Sequence, residues 1–232
     1  MSKSSLFKDK EEVNNLSYYE REAENILKII DGLFRDSAGE SYNYDKPLKR
    51  NDCTYFSSPT KNGKEFEKRI CKCLYFYNTD NKKQCGKCLE ANNTYFSLKI
   101  EGNFKIVSYE VVPLSRAENI GNIDILLSDG INYYATEVKP PRSDETLMRM
   151  VAEIMTYCNG DDINSSVKTA GDLPVKKAIC FFEGSLQDKM YSDSDFEFYG
   201  KNTKKLINLF GIKVFRLSVN KGNKTCSFEL LN

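Results

Sequence analysis

Ile123-Asp124-Ile125-Leu126-Leu127-Ser128-Asp129-Gly130 runs through Ile131 and Asn132 into Tyr133-Tyr134-Ala135-Thr136-Glu137-Val138-Lys139-Pro140-Pro141. An apolar run, a Ser-Asp-Gly turn signal and a second strand pattern in that order predict two consecutive antiparallel strands. Pro140 and Pro141 end the second strand, since neither can donate to a ladder. Asp124 interrupts an apolar strand, a position where a charge is costly unless paired or metal-bound. Glu137 and Lys139 lie two residues apart and so share one face of the next strand. Paired as a hairpin, the strands bring the three side chains together near one end of the sheet. Two carboxylates make a hard-oxygen site for Mg²⁺. Lys139 would hold the attacking water and offset charge in a phosphoryl transition state. A bland reading stands beside this one: a half-buried hairpin with a Glu137–Lys139 surface ion pair and Asp124 capping a turn. The Glu-x-Lys tripeptide is common by chance, so its strand context carries the reading.

Outward from the hairpin, periodicity assigns the other elements. Apolar positions at three- and four-residue steps predict helices over 11–34 and over Lys64 to Tyr77 (KEFEKRICKCLYFY), the second ending near Asn78. Residues 35–62 read as loop and 79–93 as an irregular, basic, Cys-containing insertion. From Thr94 the period becomes two: YFSLKI and FKIVSYEVV, separated by Glu101, Gly102 and Asn103, predict a hairpin or a bulged long strand. After the prolines, Ser143 is the expected N-cap of a helix over Thr146 to Cys158 with a buried stripe of Leu147, Met150, Val151, Ile154, Met155 and Cys158. A polar loop at 159–172 follows. Ala178 to Phe182 reads as a central strand, 201–210 as a helix ended by Gly211, and 212–219 and 226–230 as closing strands.

The 232 residues include 34 Lys plus Arg, 33 Asp plus Glu and no His or Trp. Without imidazole there is no Ser-His-Asp or Cys-His catalysis and no mixed Cys/His zinc site. Carboxylates, lysine, thiols, tyrosine and oxygen- or sulfur-held metals remain. The near-zero net charge hides a basic segment, with 13 basic against 6 acidic residues over Lys46 to Lys105. Aromatics interleave it, which suits nucleic-acid backbone attraction and base stacking as well as a lysine-solvated surface over an aromatic core. No stretch approaches the ~20 apolar residues of a membrane span, and the start lacks a secretory apolar core. A cytoplasmic chain without membrane partners is expected.

The residues resemble a family. Gly121-Asn122-Ile123-Asp124-Ile125-Leu126, then Glu137-Val138-Lys139, then a helix, is similar to the active-site core of the PD-(D/E)xK nuclease superfamily. Glu153-Ile154-Met155-Thr156-Tyr157 is similar to the Gln-x-x-x-Tyr motif of RecB-like nucleases, with Glu in place of Gln. The resemblance covers about residues 63 to 183, and its order of elements is more telling than its short motifs. It implies an α/β fold: a restriction-endonuclease-like central mixed β-sheet flanked by helices, with an N-terminal extension (1–62) and a Cys-rich insertion (about 71–93) in a 63–232 domain. It implies Asp124, Glu137 and Val138 as ligands of Mg²⁺ or Mn²⁺, Lys139 as catalytic lysine, and Glu153 and Tyr157 as supporting groups. A further carboxylate on the preceding helix is expected, Glu67 first, then Glu65, with Glu20 or Glu24 if the first helix fills that role. The implied activity is metal-dependent hydrolysis of DNA phosphodiester bonds in restriction, defence or repair, in some members by a homodimer that cuts both strands.

Eight cysteines in a reducing compartment are thiols or metal ligands rather than disulfides. Cys71, Cys73, Cys85 and Cys88 could supply four thiolates to a structural Zn²⁺, with Cys53 as a substitute, or remain buried and free thiols. The alternative function is a non-catalytic nucleic-acid-binding or interaction module organised by that zinc.

Overall fold

The hairpin forms as its pattern predicts. β3 (Ile123–Ser128) pairs antiparallel with β4 (Tyr133–Lys139), with Leu126 opposite Ala135 and Leu127 opposite Tyr134. Gly130 takes φ +86° in the turn, a conformation open to glycine at no steric cost. Asp129 Oδ1 accepts from the main-chain N–H groups of Ile131 and Asn132 at 2.8 and 2.7 Å, and Tyr134 Oη donates to Asp129 Oδ2 at 2.7 Å. These bonds hold Asp129 down at about 2 although burial opposes them, while burial and the same carboxylate push Tyr134 up to about 12.

The computed structural model describes residues 21, 23, 24, 64–79, 93–111, 122–157, 173–192 and 197–232. The first predicted helix lies outside the described residues except at 21, 23 and 24, which are helical. Most of the Cys-containing insertion, Cys53, Gly121 and the 159–172 loop also lie outside them. Besides the hairpin, the chain forms α1 (Lys64–Tyr77), a 3₁₀ turn (Thr94–Phe96), β1 (Lys99–Glu101), β2 (Lys105–Val111), α2 (Leu147–Tyr157), β5 (Val175–Phe182), α3 (Leu186–Ser192), α4 (Glu197–Leu209), β6 (Lys213–Asn220) and β7 (Thr225–Leu230). The fold is α/β. Among the described residues no helix is long and apolar enough to cross a membrane.

The seven strands among the described residues join one mixed sheet in the order β1-β7-β6-β5-β4-β3-β2. β2, β3 and β4 form an antiparallel meander; α2 then carries the chain to β5, which lies parallel to β4, and β6 lies parallel to β5. β5 is central and buried on both faces, as its apolar run predicted. Ile179 and Phe181 face α2, α3 and α4; Ala178, Cys180 and Phe182 face the layer of α1.

One expectation fails. Residues 94–111 form neither a hairpin nor a single strand: Thr94–Phe96 is a 3₁₀ turn, and β1 pairs parallel with β7, Lys99 opposite Thr225. β1 and β2 therefore occupy opposite edges of the sheet, though only residues 102–104 join them. Laid flat, six inter-strand gaps would set those edges about 29 Å apart. The chain from Glu101 to Lys105 reaches about 15 Å at most, so the sheet must curl. Gly102, at φ +91°, turns this link, and Phe104 packs inside the curl, its ring centroid 5.1 Å from Phe215. Phe215 also meets Tyr134 at 5.1 Å and Phe228 at 6.4 Å. α1 covers this aromatic interior with Phe66, Ile70 and Leu74.

A second correction concerns α2. Ser143 is not its cap; Thr146 Oγ1 accepts from the Arg149 N–H at 3.1 Å, whereas Ser143 Oγ accepts from the Glu145 N–H at 3.2 Å. The helix needs more than a stripe of apolar residues, because Met148 and Ala152 are buried along with Leu147, Met150, Val151, Ile154 and Met155. α4 begins at Glu197, earlier than predicted, and Gly211 follows it at φ +62°.

Because Phe215 joins the two curled halves of the sheet, Phe215→Ala is expected to cost about 3–5 kcal/mol in urea unfolding. Val107→Ala on the exposed face of β2 should stay within about 0.5 kcal/mol of the parent. Equal effects of the two substitutions would count against an aromatic interior that holds the curl closed.

Candidate metal and lysine site

Asp124 and Glu137 stand on neighbouring strands, and the hairpin register aligns them: Ile125 pairs with Thr136, so the next residues outward are Asp124 and Glu137. Asp124 Oδ2 accepts the Val138 N–H at 2.8 Å, which fixes its carboxylate across the hairpin. On the other side of Asp124, Tyr109 pairs with Ile125 and Val111 with Ile123. Glu110 between them takes φ +45° and pairs with Lys72 of α1 at 3.3 Å rather than adding its carboxylate to the cluster. A non-glycine residue with positive φ inside a strand is strained.

Lys139 ends β4, where the chain leaves the sheet at Pro140. Its ammonium is almost wholly buried and lies 2.9 Å from Glu137 Oε1, 2.8 Å from Glu153 Oε2, 2.7 Å from Glu145 Oε2 and 3.4 Å from Glu67 Oε2. These carboxylates come from four segments. Glu137 is on β4, Glu67 on α1 beneath one face, Glu153 on α2 beneath the other, and Glu145 in the loop between β4 and α2. Arg149 adds a second cation, its Nη2 2.7 Å from Glu153 Oε1. Among the described residues, Asp124 is the fifth carboxyl group of the site, against the cations Lys139 and Arg149, with Lys68 also drawing Asp124 down.

Glu67, Asp124 and Glu137 each offer an oxygen within 4.8 Å of the others, so the three could hold a metal ion. All-oxygen donors suit Mg²⁺ or Mn²⁺ rather than a soft metal. A further observation supports the fit: Glu137 is 2% exposed, and its Oε2 has no hydrogen-bond donor. A buried carboxylate oxygen without a donor is costly unless it meets a proton or a cation.

The electrostatics agree. Burial, then Asp124, pushes Glu67 up to about 8 against the pull of Lys139. Burial also lifts Asp124 to about 6, opposed by Lys139 and the Val138 N–H. Glu137 is driven well above the carboxylate range by burial and Asp124. Burial would raise Glu153 too, but Lys139, the Glu137 carboxyl and Arg149 hold it down at about 2. For Lys139, burial works against the charge, yet Glu137, Glu67, Glu153 and Asp124 keep it well above the ordinary lysine value.

The structure brings together Asp124, Glu137, Lys139, Glu67 and Glu153, five of the residues singled out from the sequence. Val138 contributes its N–H to Asp124, while its side chain packs in the aromatic interior. Tyr157 is the last residue of α2, its side chain outside the described residues, as is that of Glu65. Glu20 is outside them as well, and Glu24 is exposed. Cys71 and Cys73 are buried, unbridged thiols in α1; Cys85 and Cys88 lie outside the described residues. Burial and the nearby Asp124 and Glu67 push the Cys71 thiol up, away from thiolate chemistry. Sequence reasoning missed Glu145 and Arg149. Arg149 had a usable signal, its i,i+4 spacing to Glu153; Glu145, in a loop, had none.

Carboxyl groups whose folded values are raised bind protons more tightly in the folded state. Their contribution is full below the ordinary values of 3.8 for Asp124 and 4.5 for Glu67, and is lost as pH rises through about 6 and then about 8. In excess chelator the melting temperature is therefore expected to fall between about pH 5 and pH 8, with Glu67→Gln flattening the upper part of the decline. Thermal melts across that range check this, and a rising or flat profile for the parent chain would contradict it.

In comparisons with known proteins, the chain matches no family model, no curated protein and no solved structure.

Proposed function

We propose that the chain is a metal-dependent nuclease that hydrolyses DNA phosphodiester bonds, built on a restriction-endonuclease-like core. The observation that carries this reading is the convergence of Glu67, Asp124 and Glu137 oxygens beside the buried Lys139 ammonium at the end of one strand. The order of α1, the β2–β4 meander, α2 and parallel β5 agrees with the core that the PD-(D/E)xK resemblance implies.

In this reading Glu67, Asp124 and Glu137 hold the cation. When bound, Mg²⁺ or Mn²⁺ supplies Lewis-acid polarisation of a phosphoryl oxygen. The Val138 N–H keeps Asp124 aimed across the hairpin, and the Lys139 Nζ orients a water by hydrogen bonding and offsets negative charge that develops on the phosphoryl group. A bound cation would favour the ionised forms of Glu67, Asp124 and Glu137, which burial disfavours. Glu153, kept ionised by Lys139 and Arg149, supports the lysine.

A polyanionic substrate has surface to meet at the same end of the sheet. β4, β5 and β6 run parallel, so the 221–224 turn that follows β6 lies at the end where Lys139 sits. Lys221 and Lys224 in that turn and Lys99 beside it are exposed, and the Lys99 N–H donates to the Lys224 carbonyl at 2.9 Å. Such lysines suit backbone phosphates, which dominate nucleic-acid affinity.

Incubation with plasmid DNA and Mg²⁺ tests the proposal. The parent chain is expected to nick or linearise the plasmid and to stop when the cation is chelated. Asp124→Ala and Lys139→Ala are expected to lower the rate at least about 100-fold, the scale of a lost transition-state contact. Cleavage that survives unchanged in both variants would remove the catalytic assignment.

A further inference from the structure

Along a regular strand, residues two apart lie on the same face of the sheet. β3 obeys this over Ile125, Leu126 and Leu127 and then breaks it. Leu127 and Ile125 are buried in the aromatic interior under α1, and Leu126 is buried in the opposite layer. Ile123 should follow Ile125 into the interior, yet it is buried in the layer of Leu126. β2 breaks the rule at the same level, with Tyr109 in the interior and Val111 in the opposite layer. Because Tyr109 pairs with Ile125 and Val111 with Ile123, both strands change face together. The residues at the change are Glu110 and Asp124.

Glu110 supplies the backbone for it. Its φ of +45° lies in the left-handed region, which a residue with a β-carbon enters at a cost. A left-handed residue inside a strand re-aims the side chains around it, a use that bulges beside functional sites make of one. The Glu110 carboxylate is fastened to α1: Oε2 lies 3.3 Å from Lys72 Nζ with both side chains buried, and that ammonium also stands 5.7 Å from the centroid of the Tyr109 ring.

The change of face decides where Asp124 goes. By strict alternation it would share the face of Leu126. Instead its carboxylate reaches into the gap between β3 and β4, whose ladder is last paired at Ile125 and Thr136, and Oδ2 accepts the Val138 N–H there at 2.8 Å. From that gap it comes within 4.8 Å of the Glu67 carboxylate of α1.

We infer that Glu110 is a positioning residue of the cation site: its left-handed backbone, fastened to α1 by Lys72, turns Asp124 off the face of the sheet and into the gap beside Glu67. The inference rests on the cation site proposed above, where the buried Glu137 Oε2 has no hydrogen-bond donor.

Two substitutions that remove the same carboxylate separate backbone from charge. Glu110→Gly and Glu110→Val leave Lys72 in the same situation, but glycine takes positive φ freely whereas a β-branched residue resists it. In calorimetric titration of the full chain with MnCl₂, Glu110→Gly is expected to bind close to the parent and Glu110→Val about tenfold more weakly, the lower range for groups that orient ligands from outside the coordination shell. Amide hydrogen exchange in excess chelator reads the same geometry without metal. The Val138 N–H is expected to stay protected in the parent and in Glu110→Gly and to lose that protection in Glu110→Val. Folded variants that match each other in Mn²⁺ affinity or in Val138 exchange overturn the inference, because the effect is then loss of charge or nothing. If Glu110→Val does not fold, Glu110→Ala takes its place, since any β-carbon resists positive φ. If loss of the ion pair unfolds every variant, the same comparison is made in a Lys72→Met background, which removes the stranded ammonium. A parent chain that binds no Mn²⁺ removes the cation site itself, while Val138 exchange still decides whether Glu110 orients Asp124.

Discussion

Burying one ammonium at the end of β4 is the constraint on which the arrangement depends. A lysine taken out of water must be paired and hydrogen-bonded, and Lys139 meets that requirement only because four segments deliver carboxylates to it. A residue in mid-strand could be reached from one face alone. Lys139 is paired with Phe181 of β5, but on its other side the β3–β4 ladder has already stopped at Ile125 and Thr136, and there Glu67 from α1 and Glu153 from α2 meet the same Nζ. Strand length, the proline stop and the placement of both helices are linked through this one side chain.

The carboxyl groups outnumber the cations, and that excess gives the site its character. Lys139 and Arg149 hold Glu153 low, burial and Asp124 drive Glu137 up, and Asp124 and Glu67 are raised into a range where modest changes in surroundings decide their state. Functional sites and structural ion-pair networks both perturb carboxyls in this way. Mutual repulsion among them is a cost the fold carries, in keeping with the strain at Glu110 directly across from Asp124.

What was legible in the sequence was local. The β3–β4 hairpin, α1 and β5 follow from periodicity and turn chemistry within a few residues, and Asp124, Glu137 and Lys139 stood out because charge in an apolar strand needs a reason. The 94–112 segment misled for the opposite reason: two strand-like runs with a Gly-containing gap look like a hairpin, yet β1 finds its partner at residues 225–227. Nothing within the segment encodes that pairing. Thr146 displaced Ser143 as cap because the loop after Pro141 continues for several residues before helix geometry begins. The seven-residue α3 is too short for a periodic signal, so Gln187, whose amide donates to the Ser143 and Glu145 carbonyls of the loop before α2, was invisible. Glu67 came into view through the family resemblance, while Glu145 sits where an acidic residue carries no pattern at all.

The pairing of Lys99 with Thr225 also orders events in time. Contacts between residues so far apart in sequence are slow to form, since the entropy of closing the intervening chain is spent before the contact repays it. The meander of β2, β3 and β4 is local and can assemble early. β1 must wait for β7, which follows the other described strands in the chain, so a chain still emerging from its point of synthesis holds a preformed meander whose Phe104 has no Phe215 to pack against. Completion of the interior therefore waits for β6 and β7, and loss of β7 would leave β1 an orphaned edge exposed to pairing with other chains.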